Sequence, residues 1–469
     1  MAPSGSRRAD LHGGHTLSTL VVVVGILAPA VNTFITATVL PSVVKEIGGL
    51  PLYAWATTAY AVASIVGSAA SSVAMRRLGT RIALVGACAI LVAGTAACGG
   101  APSMGMVVTG RAVQGIGGGM MIGIVHGMIR ELFPEPMWPR LLATVSAAWG
   151  VAALSGPFAG GLLAQIGMWR TAFWVMVPLI VAPAVMAWSI LPRRPPRVGR
   201  PERVPFGRLL LLCAAVLCIA SVANAASGAL RATLVTGTAV AIGLVIRLDA
   251  RAKIRLFPTE MLSLRRPMGK AFAMIFLIAM AGSPIGIFMP LLVQILHGVP
   301  PAVAGYFYAA QSLAWTTAAL VTARLAGHHV RAAFVTGPLM VSAGLAGLFL
   351  TIGPGPILAI AACIVVVGLG IGTCWAHICN VVLASARKEE EAVSAAMIPS
   401  AQLFAMAFGA AISGIIASAA GLSHSATPPV AALTGATLFG GFALAPLAAA
   451  IIAVGLHPAT RVVREAAPR

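Results

Sequence analysis

The sequence predicts an all-α membrane protein of fourteen transmembrane helices, arranged as two six-helix bundles with a two-helix insert between them. Three observations predict it. Of 469 residues, 59% are hydrophobic and 9% charged, with a mean hydropathy of +0.97; no soluble domain covers its surface with so little charge. Fourteen apolar runs, grouped six, two and six, follow one another along the chain. Finally, 27 of the 31 Lys and Arg fall in alternate loops and tails, three (Lys45, Arg170, Arg231) fall in the opposite set, and Arg111 is the remainder. That asymmetry is the positive-inside rule and places both termini in the cytoplasm of a cell inner membrane. The net charge of +20 therefore reports topology and contact with the lipid bilayer, and nucleic acid is not an expected partner.

A short tail, 1–16, precedes the first bundle, 17–191, whose runs cover about 17–41, 53–74, 82–99, 104–128, 141–165 and 171–191. The first run follows Arg7 and Arg8 as a signal peptide would, but its length and the many runs after it predict a retained span. A linker with six arginines and five prolines, 192–208, is too polar to bury and separates the bundle from the insert, 209–248. The insert's second run, 232–248, is barely long enough to span. A basic segment, 249–270, is expected along the cytoplasmic membrane surface. The second bundle, 271–456, has runs at 271–296, 302–323, 333–352, 356–385, 393–420 and 429–456, and a tail follows at 457–469.

Arg111 is the one Lys or Arg inside any run. A guanidinium there costs at least about 2.5–3.5 kcal/mol on insertion scales, so it marks a functional site by default. Gln114 lies on the same helical face, and the glycines from Gly115 to Gly119 let a neighbouring helix approach. A purely structural role, tying helices together through backbone carbonyls, is the competing reading.

The seven cysteines lie in apolar runs and none forms C-x-x-C, so neither disulfides nor a zinc site is expected. No metal-ligand cluster, nucleophile motif or nucleotide-binding motif is present, and no cofactor is expected. An enzyme or sensor is the rival class that these absences disfavour.

Several motifs resemble the major facilitator superfamily, specifically its fourteen-span branch of drug:proton antiporters. Arg111-x-x-Gln114-Gly115-x-Gly117 matches that branch's fourth-span pattern, and Gly150 to Gly161, with Gly156, Pro157 and Gly160, matches its antiporter glycine-proline motif. Trp169, Arg170 and Phe173 resemble its sixth-span signature, and Trp55, Thr58 and Tyr60 its second. Ala304-Gly305, and Gln402 ahead of Gly409, extend a looser likeness into the second half. A second resemblance, carried by Thr38 to Gly49 and by Tyr53-Ala-Trp55, is to bacterial major facilitator riboflavin importers.

Departures from the antiporter pattern bear on mechanism. In the loop between the second and third spans Gly79 and Arg81 align, but Arg76 stands at the acidic position and Ser72 at the leading glycine. This puts the cytoplasmic latch implied by the family in doubt. Aligning on Leu40-Pro41 places Asn32 where the branch carries a first-span Asp. All eleven acidic residues are expected in loops or tails, leaving His126 and His377 as the titratable candidates in the spans. His377 reads either as a proton relay or as a packing residue.

The resemblance implies a central substrate cavity. Its candidate lining is Asn32, Thr36, Trp55, Tyr60, Arg111, Gln114 and Trp149 from the first half, with Gln294, Gln311, Trp315, His377, Asn380 and Gln402 from the second. Candidate conformational residues are Gly79, Arg81, Gly150, Gly156, Pro157, Gly160 and Gly161; the last five predict either a hinge or tight packing. The expected activity is that of a monomeric secondary or facilitative carrier of a small planar organic solute, with riboflavin uptake the leading reading and multidrug efflux by proton antiport the alternative.

Overall fold

The computed structural model describes residues 6–191, 205–252 and 255–456. Most of the expected linker (192–204) and the tail at 457–469 lie outside the described residues. The described chain is helical almost throughout. The first group comprises α1 (Ser6–Ile47), α2 (Tyr53–Gly99), α3 (Met104–Leu132), α4 (Trp138–Gln165) and α5 (Trp169–Ile190). The insert is α6 (Phe206–Ser221) and α7 (Gly228–Ala250). After it come α8 (Pro267–His297), α9 (Pro301–Thr322), α10 (His328–Thr351), α11 (Ile357–Ser385), α12 (Glu391–Ala419), α13 (Pro428–Phe442) and α14 (Leu444–Val454).

Among the described residues, 12 helical stretches are long and apolar enough to cross a membrane, against the fourteen separate runs expected. Two features account for the difference. The second and third runs form the unbroken Leu50–Gly99 stretch, interrupted only at Gly79, whose φ of 78° and ψ of 156° turn the chain without a loop. A side chain is disfavoured at that φ, which is why glycine stands there. The other is α9, which carries too many polar and small residues to be among the twelve. The last run is split into α13 and α14 because Pro446 has no N–H for the Phe442 carbonyl. Next to this break Ser342 Oγ of α10 donates to the Ala443 carbonyl at 2.9 Å.

Both insert helices are among the twelve. α7 starts earlier than its apolar run because Ser227 caps it, its hydroxyl accepting from Leu230 N at 3.2 Å. At the other end buried Asp249 accepts from Arg208 and from the backbone N–H groups of Leu256 (2.6 Å) and Phe257 (3.0 Å), tying the two legs together. The basic segment that follows docks on the loop between α11 and α12, through Thr259 on Glu390 and Glu260 with Arg387. The acids therefore do not all fall in loops: Glu46, Glu131, Asp249 and Glu391 occupy terminal helical turns. Helices outrun their apolar stretches here, and polar side chains tolerate the ends.

Glycine seams set the packing. A Cβ on Gly115 or Gly119 of α3 would come within 2.4 and 2.2 Å of the Tyr60 and Ser64 carbonyls on the first limb of α2. One on Gly117 would come within 2.5 Å of Leu91 N on the second limb. Thus α3 is gripped between the limbs of α2, backbone against backbone. The pattern repeats in α11, where Gly368 and Gly372 abut the Gln311 and Trp315 carbonyls of α9 at 2.3 and 2.2 Å, and Gly370 abuts the Gly337 carbonyl of α10 at 2.6 Å. The contacts that join residues 17–165 to 267–419 converge at the end carrying loops 48–52 and 298–300. There Gly161 meets Ala302, Gly305 meets Thr38 and Pro157, Gly414 meets Ala54, and Tyr306 Oη donates to the Leu154 carbonyl. Along one side α6 fills the groove between α2 and α12, with Leu209, Leu212 and Val216 against Ala61, Ile65, Phe404 and Ala407.

Candidate substrate site

The grip on α3 carries Arg111 into a cage of neutral oxygens. Its side chain is 3% exposed. Nε donates to the Ala56 carbonyl at 3.2 Å. Nη1 donates to Gln114 Oε1 at 2.8 Å, Asn32 Oδ1 at 3.1 Å and Thr36 Oγ1 at 3.3 Å, so two hydrogens serve three acceptors. The Tyr60 ring covers one face, with Cζ 4.1 Å from its centroid. Gln114 passes the chain on, its Nε2 donating to Thr95 Oγ1 at 2.9 Å, which donates to the Leu91 carbonyl at 2.7 Å. One network thus ties four segments together: α1, the first limb of α2 and α3 at the guanidinium, and the second limb of α2 through Gln114.

Hydrogen bonds to a charged group stabilise by about 1.5–3 kcal/mol each, which offsets the insertion cost of the cation. No acceptor in the cage carries a negative charge, so the positive charge is solvated and not cancelled. Among the described residues Nη2 makes no hydrogen bond, and Asn32, 2% exposed, leaves its Nδ2 buried without a partner. An unmet buried donor such as Asn32 Nδ2 is where a ligand acceptor gains most.

Five of the thirteen candidate lining residues therefore join one network: Asn32, Thr36, Tyr60, Arg111 and Gln114. Trp149 is not part of it: it lies edge-on to Phe34 at 6.4 Å, on the other face of α1, and Phe34 lies tilted at 5.0 Å from Tyr308 of α9, the aromatic bridge between the two halves. Trp55 Nε1 is buried and unpartnered, as is Gln311 Oε1 in α9. Trp315 packs edge-to-face on Trp375 at 5.1 Å. The remaining candidates are not drawn into the network. Gln294 Nε2 donates back to the Pro290 carbonyl of its own helix at 2.8 Å. His377 Nε2 donates to the Thr322 carbonyl at the end of α9 at 3.0 Å. Asn380 is exposed, and Gln402 is half-buried on α12.

The conformational candidates separate likewise. Gly156 and Gly160 seat α4 on Phe34 and Ile35 of α1, and Gly161 seats it on Ala302 of α9, which is close packing. Gly150 has nothing within 4 Å of where a Cβ would stand. Arg81 lies 4.1 Å from the Trp188 ring centroid, and beside Gly79 the Thr80 hydroxyl donates to Glu131 at 2.8 Å. Sequence reasoning missed Thr95, the Ala56 carbonyl, Phe34 and Tyr308. Thr and Phe in apolar helices give no signal of their own, and a backbone acceptor gives none at all. Among the described residues no group of three or more His, Cys, Asp or Glu could hold a metal ion.

The family model of the Major Facilitator Superfamily matches residues 22–410. A "Probable multidrug-efflux transporter" of Mycobacterium tuberculosis is 34% identical over 419 residues, covering 86% of this chain and 88% of that protein. "Multidrug resistance protein 3" of Bacillus subtilis is 26% identical over 200 residues, 43% of this chain and 39% of its own length. Among solved structures, a POT peptide transporter superposes with a TM-score of 0.70 at 14% identity, covering 94% of this chain and 93% of that one. A D-xylose–proton symporter does so with a TM-score of 0.67 at 15% identity, covering 95% and 98%. At these identities the structural likeness speaks for the fold alone.

Proposed function

The chain belongs to the Major Facilitator Superfamily, and from that premise we propose that it exports small, planar, neutral or anionic organic solutes by alternating access. The observation that carries this reading is the neutral cage around Arg111. A buried cation whose acceptors are all uncharged leaves a net positive site, with Nη2 and Asn32 Nδ2 free to meet a ligand's oxygens. Tyr60, whose ring centroid lies 4.1 Å from the guanidinium carbon, is the aromatic side chain at this site for a planar molecule to meet. A cationic drug would meet repulsion here.

The reading includes fourteen spans, counting α2 as two across Gly79 and adding α9, with both termini cytoplasmic and six-span bundles at 17–191 and 271–456. The closed end at loops 48–52 and 298–300 would then face outward, so that the site loads from the cytoplasm. Likeness over most of its length to a protein named for multidrug efflux favours the outward direction over riboflavin uptake, for which no distance in the site speaks.

Efflux from cells lacking their own pumps would test it. Expression should lower accumulation of anionic planar dyes in an Arg111-dependent manner while leaving cationic dyes unchanged. Growth of a riboflavin auxotroph on micromolar vitamin, without any dye efflux, would replace export with uptake. Efflux confined to cationic dyes would overturn the anion-selective site.

A further inference from the structure

We propose that the cleft between the insert and the end of α12 is a binding site for a phosphate anion, taken from a phospholipid headgroup. The cleft has a volume of about 130 Å³ and is lined by Val222, Ala223, Arg231, Ile415, Ser418 and His424. It lies at the end of the helices opposite the basic loops, where the sequence carries only Lys45, Arg170 and Arg231. Arg170 is paired with Glu46. Arg231 has no acidic partner among the described residues.

Its geometry is set for one. Nε donates to the Ala225 carbonyl at 3.3 Å, which anchors the guanidinium and leaves Nη1 and Nη2 to the cleft. His424 is brought to the same cleft by the reversal at Gly421, whose φ is 92°. This turn is pinned by Leu422 N on the Ala417 carbonyl at 3.0 Å and by His424 N on the Gly421 carbonyl at 3.0 Å. The Ser418 hydroxyl is already committed to the Ala223 carbonyl at 2.9 Å, so it holds the insert against α12. Two side chains that can donate to an anion thus converge across one cleft.

A second feature adds to this. Arg231 sits in the first turns of α7, where the helix dipole is positive and a cation is unfavourable. An anion bound by the guanidinium offsets its charge there. Lipid is the favoured source because the surface below is apolar. Val235, one turn further along the same face, is 48% exposed, and Leu230, Val240 and Leu244 on the same helix are 45%, 62% and 44% exposed. A phosphodiester at Arg231 would leave its acyl chains along α7, within the expected bilayer. A soluble phosphate uses only the charged top.

Native mass spectrometry of the full-length protein, released from detergent with phosphatidylglycerol or phosphatidylcholine added, tests the proposal. Phosphatidylglycerol should be retained preferentially. Arg231→Gln should lower its retention at least about fivefold, the loss of one charge-assisted fork. His424→Gln should lower it less, and Lys45→Gln, removing an exposed cation at the same end, should leave it unchanged. Thermal melting without lipid controls for folding, and Arg231→Lys gives a folded variant that keeps charge but not the fork. If millimolar inorganic phosphate displaces the lipid and raises the melting temperature through Arg231, the anion site stands with a soluble source. If lipid and phosphate bind equally to wild type, Arg231→Gln and His424→Gln, the proposal is wrong.

Discussion

The glycine seams of α3 and α11 are near copies in packing and opposites in chemistry. Gly115, Gly117 and Gly119 correspond to Gly368, Gly370 and Gly372, and their closest backbone neighbours correspond too: the Tyr60 and Ser64 carbonyls on one side, those of Gln311 and Trp315 on the other. In that register Arg111 and Gln114 fall opposite Ile364 and Val367, both fully buried among apolar side chains. The backbone arrangement is duplicated, whereas the charged network is built once. A helix gripped by glycines is a scaffold, and what it presents at the position one turn before the first glycine is free to differ. The scaffold explains why the two halves pack alike; the charged network belongs to the first half alone.

The largest expected effect breaks the scaffold. Gly119→Leu and Gly372→Leu would each drive a side chain into a carbonyl that lies 2.2 Å from the nearest possible Cβ. Overpacking usually costs about 1–3 kcal/mol, and more where the obstacle is backbone and cannot turn aside. Both variants should lose monodisperse, membrane-extracted protein to a similar degree, as read by fluorescence-detected size exclusion. Tolerance of one substitution and not the other would end the equivalence of the seams.

Next in size is the chemical asymmetry itself. Arg111→Gln removes the donor of four hydrogen bonds and should cut efflux of an anionic dye by on the order of a hundredfold, about 3 kcal/mol of ligand and cage interactions. Protein abundance should stay near normal, because the acceptors it leaves can partly pair with the new amide. Arg111→Lys should recover little, since a point charge cannot span Ala56, Asn32 and Gln114 together. The reciprocal change, Ile364→Arg, places the same charge where no cage exists, and should remove the protein from the membrane altogether. A well-folded Ile364→Arg protein would show that the cage is not what makes the charge tolerable.

These contrasts also say what the sequence could and could not reveal. Arg111 was legible because a lone cation in an apolar run is expensive, and Gln114 because three residues on is the same helical face. Asn32 and Thr36 were legible only through alignment on Leu40-Pro41. Thr95 was not, because its pairing depends on α2 folding back at Gly79 to bring its second limb against α3. The Ala56 carbonyl has no side-chain signature at all. Apolar runs foretold the helices, but the absence of a loop between the second and third runs follows from one dihedral angle. The docking of 255–266 on Glu390 and Arg387 is a tertiary matter that loop composition does not encode.

A subtler change tests whether charge alone sets the preference. Asn32→Asp puts a carboxylate where Oδ1 already sits 3.1 Å from Arg111 Nη1. The pair would neutralise the site while keeping its shape. Efflux of anionic dyes should fall about tenfold, the effect of about 1.4 kcal/mol, and cationic dyes should become substrates. Unchanged selectivity would mean that the ligand does not sense this cation.

The smallest expected effect separates motion from packing within α4. Gly156 is crowded, with a Cβ there only 2.5 Å from Phe34 Cβ, whereas Gly150 has open space on that side. Gly150→Ala therefore adds a methyl group without a clash and should raise helix stability by about 0.5–1 kcal/mol. If Gly150 serves only to pack, turnover is untouched. If α4 bends there as the two halves rock, a stiffer helix slows the exchange of states, and turnover should fall about twofold to threefold while the melting temperature holds or rises. We expect the second outcome, since no neighbour in the structure gives this glycine a packing reason to be small. Measured as initial efflux rates at saturating dye beside thermal melts of the same preparations, a rate loss without a stability loss would assign Gly150 to the moving part. Gly156→Ala serves as the opposite case, losing stability first and rate only with it.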